Sequence, residues 1–466
     1  MQLKKIKISF VFLFCFLGLR AQDTLSFYQL LNSIQRNYPL YLKSDNLKAV
    51  GKSNLKSAQG AYDPFLALGY DNKFYNSKNY YSQLDAKLKV PIFTSQYITG
   101  GYQYAQGNYI NPENITSSAG MPFLGIEASV LQGLSIDKRR ADVLKAKNYL
   151  SYYEAEAGQL QNELLYTAAN NYTDWAYANK VLQLYNYFTK IAQQRLQAIK
   201  GIASIGEVAA IDSVEAAIVF QSRLLDMQSS IVQKNKSAAQ VQNIYWPALS
   251  NAGNKDKNLM IKDSLGDLFD RSLKKITGIW GDSMQANPLI KKYNALQGVL
   301  EVESRYKAEL IKPKLDLSYN FLSPSTAPLT TNLSTNNYKW GLNFSFPIFL
   351  RTARSDYKIA KLNAKNNNLE KEAKYNELKV KADFIKQNIQ LLLDQFNMAK
   401  RNVSYSKQLL EAERLKFNSG ESSLFLLNTR EARWLESELK LAEYQLKFIK
   451  VSLEAIYLAG DLNFEL

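Results

Sequence analysis

Asp212 and Glu215 stand three residues apart, which places both carboxylates on one face if the segment is helical. Paired carboxylates are the raw material of acid–base chemistry, but neither this pair nor any other in the chain stands out from ordinary helix-surface charge. Histidine-dependent chemistry is excluded as well. The 466 residues contain no histidine, which removes Ser-His-Asp and Cys-His nucleophile systems and histidine-ligated zinc. Cys15 is the only cysteine. Neither a G-x-G-x-x-G fingerprint nor a G-x-x-x-x-G-K-[ST] phosphate loop occurs. No cofactor, no metal and no enzymatic activity are expected.

The formal net charge is +16, from 58 Lys and Arg against 42 Asp and Glu. A basic balance can signal nucleic acid. Here the lysines are spread among acids, as in Lys371, Glu372, Lys374, Glu377 and Lys379, which reads as a solvated helix face, and no nucleic-acid partner is expected. The first 21 residues read as a secretory signal. Lys4, Lys5 and Lys7 form the basic region, residues 8–19 are an apolar run short for a membrane span, and Arg20-Ala21-Gln22 is the expected cleavage point. Removing the signal takes away Lys4, Lys5, Lys7 and Arg20 and leaves +12.

The elements that must position any site come from a long-period repeat. Pro64 follows Pro39 at the same spacing as Pro313 follows Pro288. Leu66, Leu68 and Tyr70 follow Pro64 at the same steps as Leu315, Leu317 and Tyr319 follow Pro313. One unit therefore occurs twice, and such repeats usually fix the architecture. Residues 24–59 read as two helices separated near Pro39. Two stretches, 123–246 and everything after Pro347, hold none of the 11 prolines. Proline costs a helix interior about 3 kcal/mol, so these are where long helices can run. The expected helices are 136–200, 208–245, 352–417 and 422–458, the first roughly 98 Å long at 1.5 Å per residue. Gly206-Glu207 and Asn418-Ser419-Gly420-Glu421 mark the turns of two helical hairpins. Leu435, Leu439, Ala442, Leu446, Ile449 and Leu453 step by fours and threes as a packing seam.

Between the helices lie strands with strict alternation. Tyr338, Trp340, Leu342, Phe344 and Phe346 face one way, and Lys339, Gly341, Asn343 and Ser345 the other. The sets beginning at Leu66, Leu124 and Leu315 behave likewise. Apolar or aromatic on one face and small or polar on the other suits a wall with lipid on one side and water on the other, although a half-buried sheet gives the same pattern. The aromatic ends favour the membrane. Residues 84–93 and 97–109 alternate only weakly and read as an inserted hairpin, either within the wall or in a loop. Four clear strands cannot close a membrane barrel, and an open edge cannot face lipid, so copies must pool their strands. Three copies of four give about twelve.

This order of elements resembles the TolC-like outer membrane factor family over nearly the whole chain. The resemblance rests on Asn287-Pro288-Leu289, on 308–313, on the strand at 341–349 entering a helix, and on Phe417-Asn418-Ser419-Gly420-Glu421-Ser422-Ser423-Leu424. It implies a mainly α protein with membrane β: a homotrimeric, 12-stranded outer-membrane β-barrel continued by a long periplasmic α-helical barrel, with two internal repeats per chain. The divisions are a signal at 1–21, a first repeat at 22–246, a polar inter-repeat segment at 247–284 and a second repeat at 285–466. The implied role is the exit duct of a tripartite efflux or type I secretion system in the outer membrane of a Gram-negative bacterium. The implied partners are a periplasmic adaptor (membrane fusion) protein, an inner-membrane pump or ABC transporter, and outer membrane lipid. The tip residues Gly206, Glu207, Gly420, Glu421, Ser422 and Ser423 become adaptor-contact candidates. The family often carries acids after the hairpin glycine at a periplasmic gate. Asp212 and Glu215 fit that place in the first repeat, whereas Leu426 and Thr429 stand there in the second, a departure from the pattern. The rival reading is a soluble periplasmic coiled-coil adaptor or scaffold.

Overall fold

The computed structural model describes residues 24–247, 259–276, 283–323 and 335–461. The expected signal at 1–21 and parts of the inter-repeat segment lie outside the described residues. In chain order the elements are β1 (Thr24–Leu25), α1 (Phe27–Asn37), α2 (Pro39–Gln59), β2 (Phe65–Tyr75), β3 (Lys78–Pro91), β4 (Gln96–Gln106), β5 (Met121–Ser129), α3 (Lys138–Ser204) and α4 (Ala210–Ile244). There follow β6 (Met260–Ile261), α5 (Leu265–Ile276), α6 (Pro288–Glu309), β7 (Lys314–Leu322), β8 (Tyr338–Ser345), α7 (Arg351–Asn418) and α8 (Leu424–Ala459). Pro39 and Pro288 each open a helix, where the missing N–H is not needed, and Pro64 and Pro313 each immediately precede a strand.

The chain divides into two compact units. The first contains, among the described residues, 24–37, 168–247, 259–270 and 396–447. Its core gathers around Tyr172 and Trp175 of α3 and Phe27 of α1, all at most 1% exposed. The Phe27 and Tyr172 rings meet edge to face at 5.6 Å. Asp263 fixes the start of α1 by accepting the Phe27 amide at 2.7 Å, and the Tyr172 hydroxyl lies 2.9 Å from both Asp263 Oδ2 and the Leu25 carbonyl. Burial first, and the Asp263 charge second, push the Tyr172 phenol far above its ordinary value. Thr24–Leu25 pairs in parallel with Met260–Ile261, and α5 packs the Phe269 ring 4.2 Å from Phe396. A strand thus stands at 24–25, where the sequence suggested helix. The β1–β6 pairing joins segments from opposite ends of the first repeat and beyond it, a contact that local pattern cannot announce.

The second unit contains 38–167, 271–276, 283–323, 335–395 and 448–461 among the described residues. It holds one six-stranded antiparallel sheet in the order β2-β3-β4-β5-β7-β8. Beyond the four clear strands, the weakly alternating hairpin, which the sequence left open between wall and loop, forms β3 and β4 and lies inside the sheet, between β2 and β5. Its alternation looked weak because its apolar face carries Ser82, Ala86 and Gly100 among the larger side chains. Asn76 and Ser77, with φ of 54° and 60°, form the two-residue turn between β2 and β3, the geometry that matches strand twist. The edges β2 and β8 have no strand partner beyond them among the described residues.

Beneath the sheet the two halves of this unit are tied by Glu309, which is 4% exposed. It accepts the Gly133 amide at 3.1 Å and the Ser135 hydroxyl at 2.7 Å, and it pairs with Lys312. Despite burial, these partners hold its carboxyl below the usual range. Asn287 caps α6 by accepting from the Leu289 amide at 2.9 Å, while its amide group donates to the Leu458 carbonyl. The motif Asn287-Pro288-Leu289 therefore joins the start of one helix to the end of another.

Candidate functional site

Two places concentrate the sequence-derived candidates: the faces of the sheet and the tips of the helical hairpins. On the sheet, residues directly opposite each other share a face, so the register sorts every side chain. One face carries Leu66, Leu68 and Tyr70 of β2, Leu84 and Leu88 of β3, and Ile98 and Tyr102 of β4. It continues through Leu124 and Ile126 to Leu317 and Tyr319 and ends at Trp340, Leu342 and Phe344. Most of these are exposed; Leu68 and Trp340 leave 73% and 65% of their surface open. The opposite face is polar and internally paired. Glu127 bridges Lys87 at 2.7 Å and Lys89 at 2.5 Å, Lys314 pairs with Asp316 at 2.9 Å, and Ser129 bonds Asp316. Gly125 leaves the gap over which the Thr99 hydroxyl reaches the Asn320 side chain at 3.3 Å.

The hairpin tips lie in the first unit. Gly206 and Gly420 have φ of 80° and 76°, the left-handed conformation that ends a helix without strain only at glycine. At each, paired backbone bonds close the turn. Gly206 and Glu207 donate to the Ala203 and Ile202 carbonyls, and Gly420 and Glu421 donate to Phe417 and Lys416. The other two tip candidates have structural partners. Ser423 caps α8 through its hydroxyl at 3.3 Å from the Leu426 amide, and Ser422 donates to Glu413 at 2.5 Å. The Ser422 hydroxyl, followed by Arg430, holds the Glu413 carboxyl below its ordinary 4.5. A depressed carboxylate stabilises the fold above that ordinary value and loses its contribution as pH falls through the lower, folded value. Ser422→Ala should therefore move acid-induced opening of the tip to higher pH. Hydrogen exchange across 415–430 as a function of pH would read the shift, and an unmoved midpoint would refute the bond's role.

Of the gate candidates, Glu215 is half-buried and accepts from the Asn428 amide group at 3.0 Å. Asn428 accepts in turn from Arg195 at 2.7 Å, and Arg195 pairs with the buried Glu431. Glu215 thus belongs to a network joining α3, α4 and α8. Asp212 sits half-buried in the first turn of α4, where free helix N–H groups favour negative charge. Leu426 is exposed near the start of α8, and the exposed Thr429 returns its hydroxyl to the Phe425 carbonyl at 2.8 Å. Sequence reading missed the apolar residues around the tips. Ile205, Ile211, Leu415 and Phe425 are all at least 65% exposed. Their signal was large apolar side chains beside a glycine turn. Ile211, Val214, Ile218, Leu225 and Val232 also form an exposed stripe along α4 at threes, fours and sevens.

No protein-family model matches the chain, and no curated protein matches it. Solved structures do. The Campylobacter jejuni outer membrane channel CmeC superposes with a TM-score of 0.66 at 12% identity, over 93% of this chain and 85% of that one. The Vibrio cholerae outer membrane protein VceC gives 0.63 at 13%, over 93% and 96%. The open-state MtrE outer membrane channel of Neisseria gonorrhoeae gives 0.63 at 12%, over 93% and 88%. The chain shares the fold of these outer membrane proteins. Within it, α3 with α4 and α7 with α8 form the two long hairpins. Among the described residues no helix is long and apolar enough to cross a bilayer, which bears on helices and not on the sheet. No cluster of three or more His, Cys, Asp or Glu suited to a metal occurs among them either.

Proposed function

We propose that this protein is an outer membrane exit duct through which an inner-membrane transporter, coupled by a periplasmic adaptor, passes its cargo to the outside. The observation that carries the reading is the two-faced sheet with unpartnered edges. A continuous apolar and aromatic face opposite a polar, ion-paired face suits hydrocarbon outside and water inside. Strands of 8–14 residues fit the roughly 9–11 that a tilted membrane strand needs. Unpaired edges in lipid would leave amides without partners, so β2 and β8 must meet the edges of other copies. The exposed stripe on α4 supports the same self-association through the helices, and a homotrimer is the assembly expected of this fold. Fractionation and conductance test the reading together. After a high-salt wash the protein should remain in the outer membrane fraction, and the purified oligomer should form channels in planar bilayers. Recovery as a salt-extractable protein without channel activity would favour the soluble scaffold instead.

The tips around Gly206 and Gly420 are the proposed adaptor contact, with Ile205, Leu415 and Phe425 as its apolar anchors. The periplasmic gate is proposed to combine a ring of Asp212 carboxylates with a collar of Leu426 side chains, one from each copy. Asp212→Ala should lower cation preference in single-channel recordings, and Leu426→Ser should raise resting conductance. If both variants conduct like the parent across salt concentrations, the gate lies elsewhere. Whether the cargo is a small toxic molecule or a secreted protein follows from the transporter partner.

A further inference from the structure

The hairpin β3–β4 is the part of the sheet that the four-strand arithmetic does not use. Its pairing is complete on both sides. Eleven residues of β2 pair with β3, ten pairs join β3 to β4, and eight join β4 to β5. Its side chains follow the same division as the rest of the sheet. Leu84, Ala86, Leu88 and Val90 of β3 and Ile98, Gly100, Tyr102 and Tyr104 of β4 share the apolar face. Gln83, Asp85, Lys87 and Lys89, with Thr99 and Gln103, share the polar one. A hairpin that merely decorated a loop would have no reason to keep both faces in phase with β7 and β8, which come from the other repeat.

The turn between β3 and β4 is also fixed where a wall strand's turn would be. The Arg139 guanidinium, at the start of α3, donates to the Thr94 carbonyl and stacks over Tyr97 with its Cζ 4.3 Å from the ring centre. Ser129, the last residue of β5, donates its amide to the Ser95 carbonyl at 3.0 Å, and the Ser95 hydroxyl reaches the Gly133 carbonyl. The turn thus ends at the same level as β5, beside the junction of sheet and helix. On the polar face, Lys87 and Lys89 of the hairpin neutralise Glu127 of β5, so a carboxylate of a neighbouring strand depends on the hairpin for its partners.

We infer that β3 and β4 are full wall strands, with Leu84, Leu88, Ile98 and Tyr102 facing lipid hydrocarbon and Gln83, Asp85, Lys87 and Gln103 facing the water-filled lumen. Each copy then supplies six strands to the shared barrel. This deepens the channel reading and rests on it. Barrel diameter grows roughly in proportion to strand number, so six strands per copy in place of four widen the barrel by about half at any copy number. Three copies close about eighteen strands, within the size at which barrels hold an open aqueous channel. The outer mouth therefore admits bulky hydrated cargo, and any tight constriction belongs to the helical part.

Single introduced cysteines test this directly, because the only cysteine of the sequence, Cys15, lies within the expected signal at 1–21. Each variant carries a polarity-sensitive fluorophore and is reconstituted into vesicles containing nitroxide-labelled lipid. Positions 84, 88, 98 and 102 are compared with 83, 85 and 103, with Leu317 and Leu342 as lipid-facing controls and Ser318 and Asn343 as lumen-facing ones. The expected result is blue-shifted emission quenched by the nitroxide lipid at 84, 88, 98 and 102, and unquenched, water-like emission at 83, 85 and 103. Alternation in β7 and β8 but not in β3 and β4 would overturn the inference and leave the channel reading standing. Absence of alternation in all the strands would overturn both.

Discussion

Arg195→Met should destabilise the hairpin tips by about 3–5 kcal/mol, the cost of stranding a buried charge. Glu431, only 2% exposed, has the Arg195 guanidinium as its charge partner, and Arg195 also orients Asn428, which in turn holds Glu215. Without Arg195 a buried carboxylate is left uncompensated and three helices lose their shared polar link. The apolar packing nearby is modest, consisting of Ile199, Ala216 and Leu424 with Leu196, Val208 and Phe417 around them, so it cannot absorb the loss. The double variant Arg195→Met with Glu431→Leu should recover most of the stability, because it removes the stranded charge together with its partner. Hydrogen exchange in 190–220 and 415–435 would show faster opening in the single variant and near-parental rates in the double. Equal exchange in parent and single variant would mean that the pair contributes nothing. The same variants bear on the proposed gate, since Glu215 is held by this network through Asn428.

The second large effect is expected at Gly101. A Cβ there would stand 2.2 Å from the Ala86 carbonyl oxygen and 2.7 Å from the Phe123 ring. The first of these atoms is backbone of the paired strand and cannot move without breaking the ladder. Gly101→Val should therefore abolish assembly, a loss above the roughly 1–3 kcal/mol usual for overpacking because backbone is displaced. The neighbouring Gly100 is the internal control. A Cβ at that site meets Leu124 Cδ1 at 3.4 Å and nothing closer, so Gly100→Val should fold and insert. Heat-modifiable migration of the oligomer on gels and the yield in the outer membrane fraction would separate the two. Normal assembly of Gly101→Val would show that β3 and β4 are not held in this register. Because the contrast falls inside the β3–β4 hairpin, it also probes whether the hairpin needs to be paired for the proposed barrel to form.

Much of this protein was decided by residue pattern alone. Proline placement predicted the long helices to within a few residues, because proline cannot enter a helix interior without losing a hydrogen bond and clashing. α3, α4, α7 and α8 begin and end close to the positions read from sequence. Gly206 and Gly420 marked the tips because only glycine takes the left-handed turn without strain. The strands β2, β5, β7 and β8 were legible because their alternation is strict and their apolar members are large. Tertiary structure decided the rest. The place of β3–β4 within the sheet depended on pairing with β2 and β5, since a face broken by Ser82, Ala86 and Gly100 carries little periodic contrast of its own. The short β1 strand depended on Met260 and Ile261, which lie beyond both long helices of the first repeat. The tip residues were legible by type but not by role. Ser422 and Ser423 look like a polar contact surface in sequence, yet the fold commits their hydroxyls to Glu413 and to the start of α8. Glu215 looked equivalent to Asp212 at helical spacing. Only the approach of α8, carrying Asn428 and Glu431 towards Arg195, separates a carboxylate bound into a network from one left at a helix start. Local sequence decides which segments bend, cap or alternate, because those are properties of a few consecutive residues. Which polar group is consumed by a partner depends on distant segments meeting, and that is determined when the helices and strands pack.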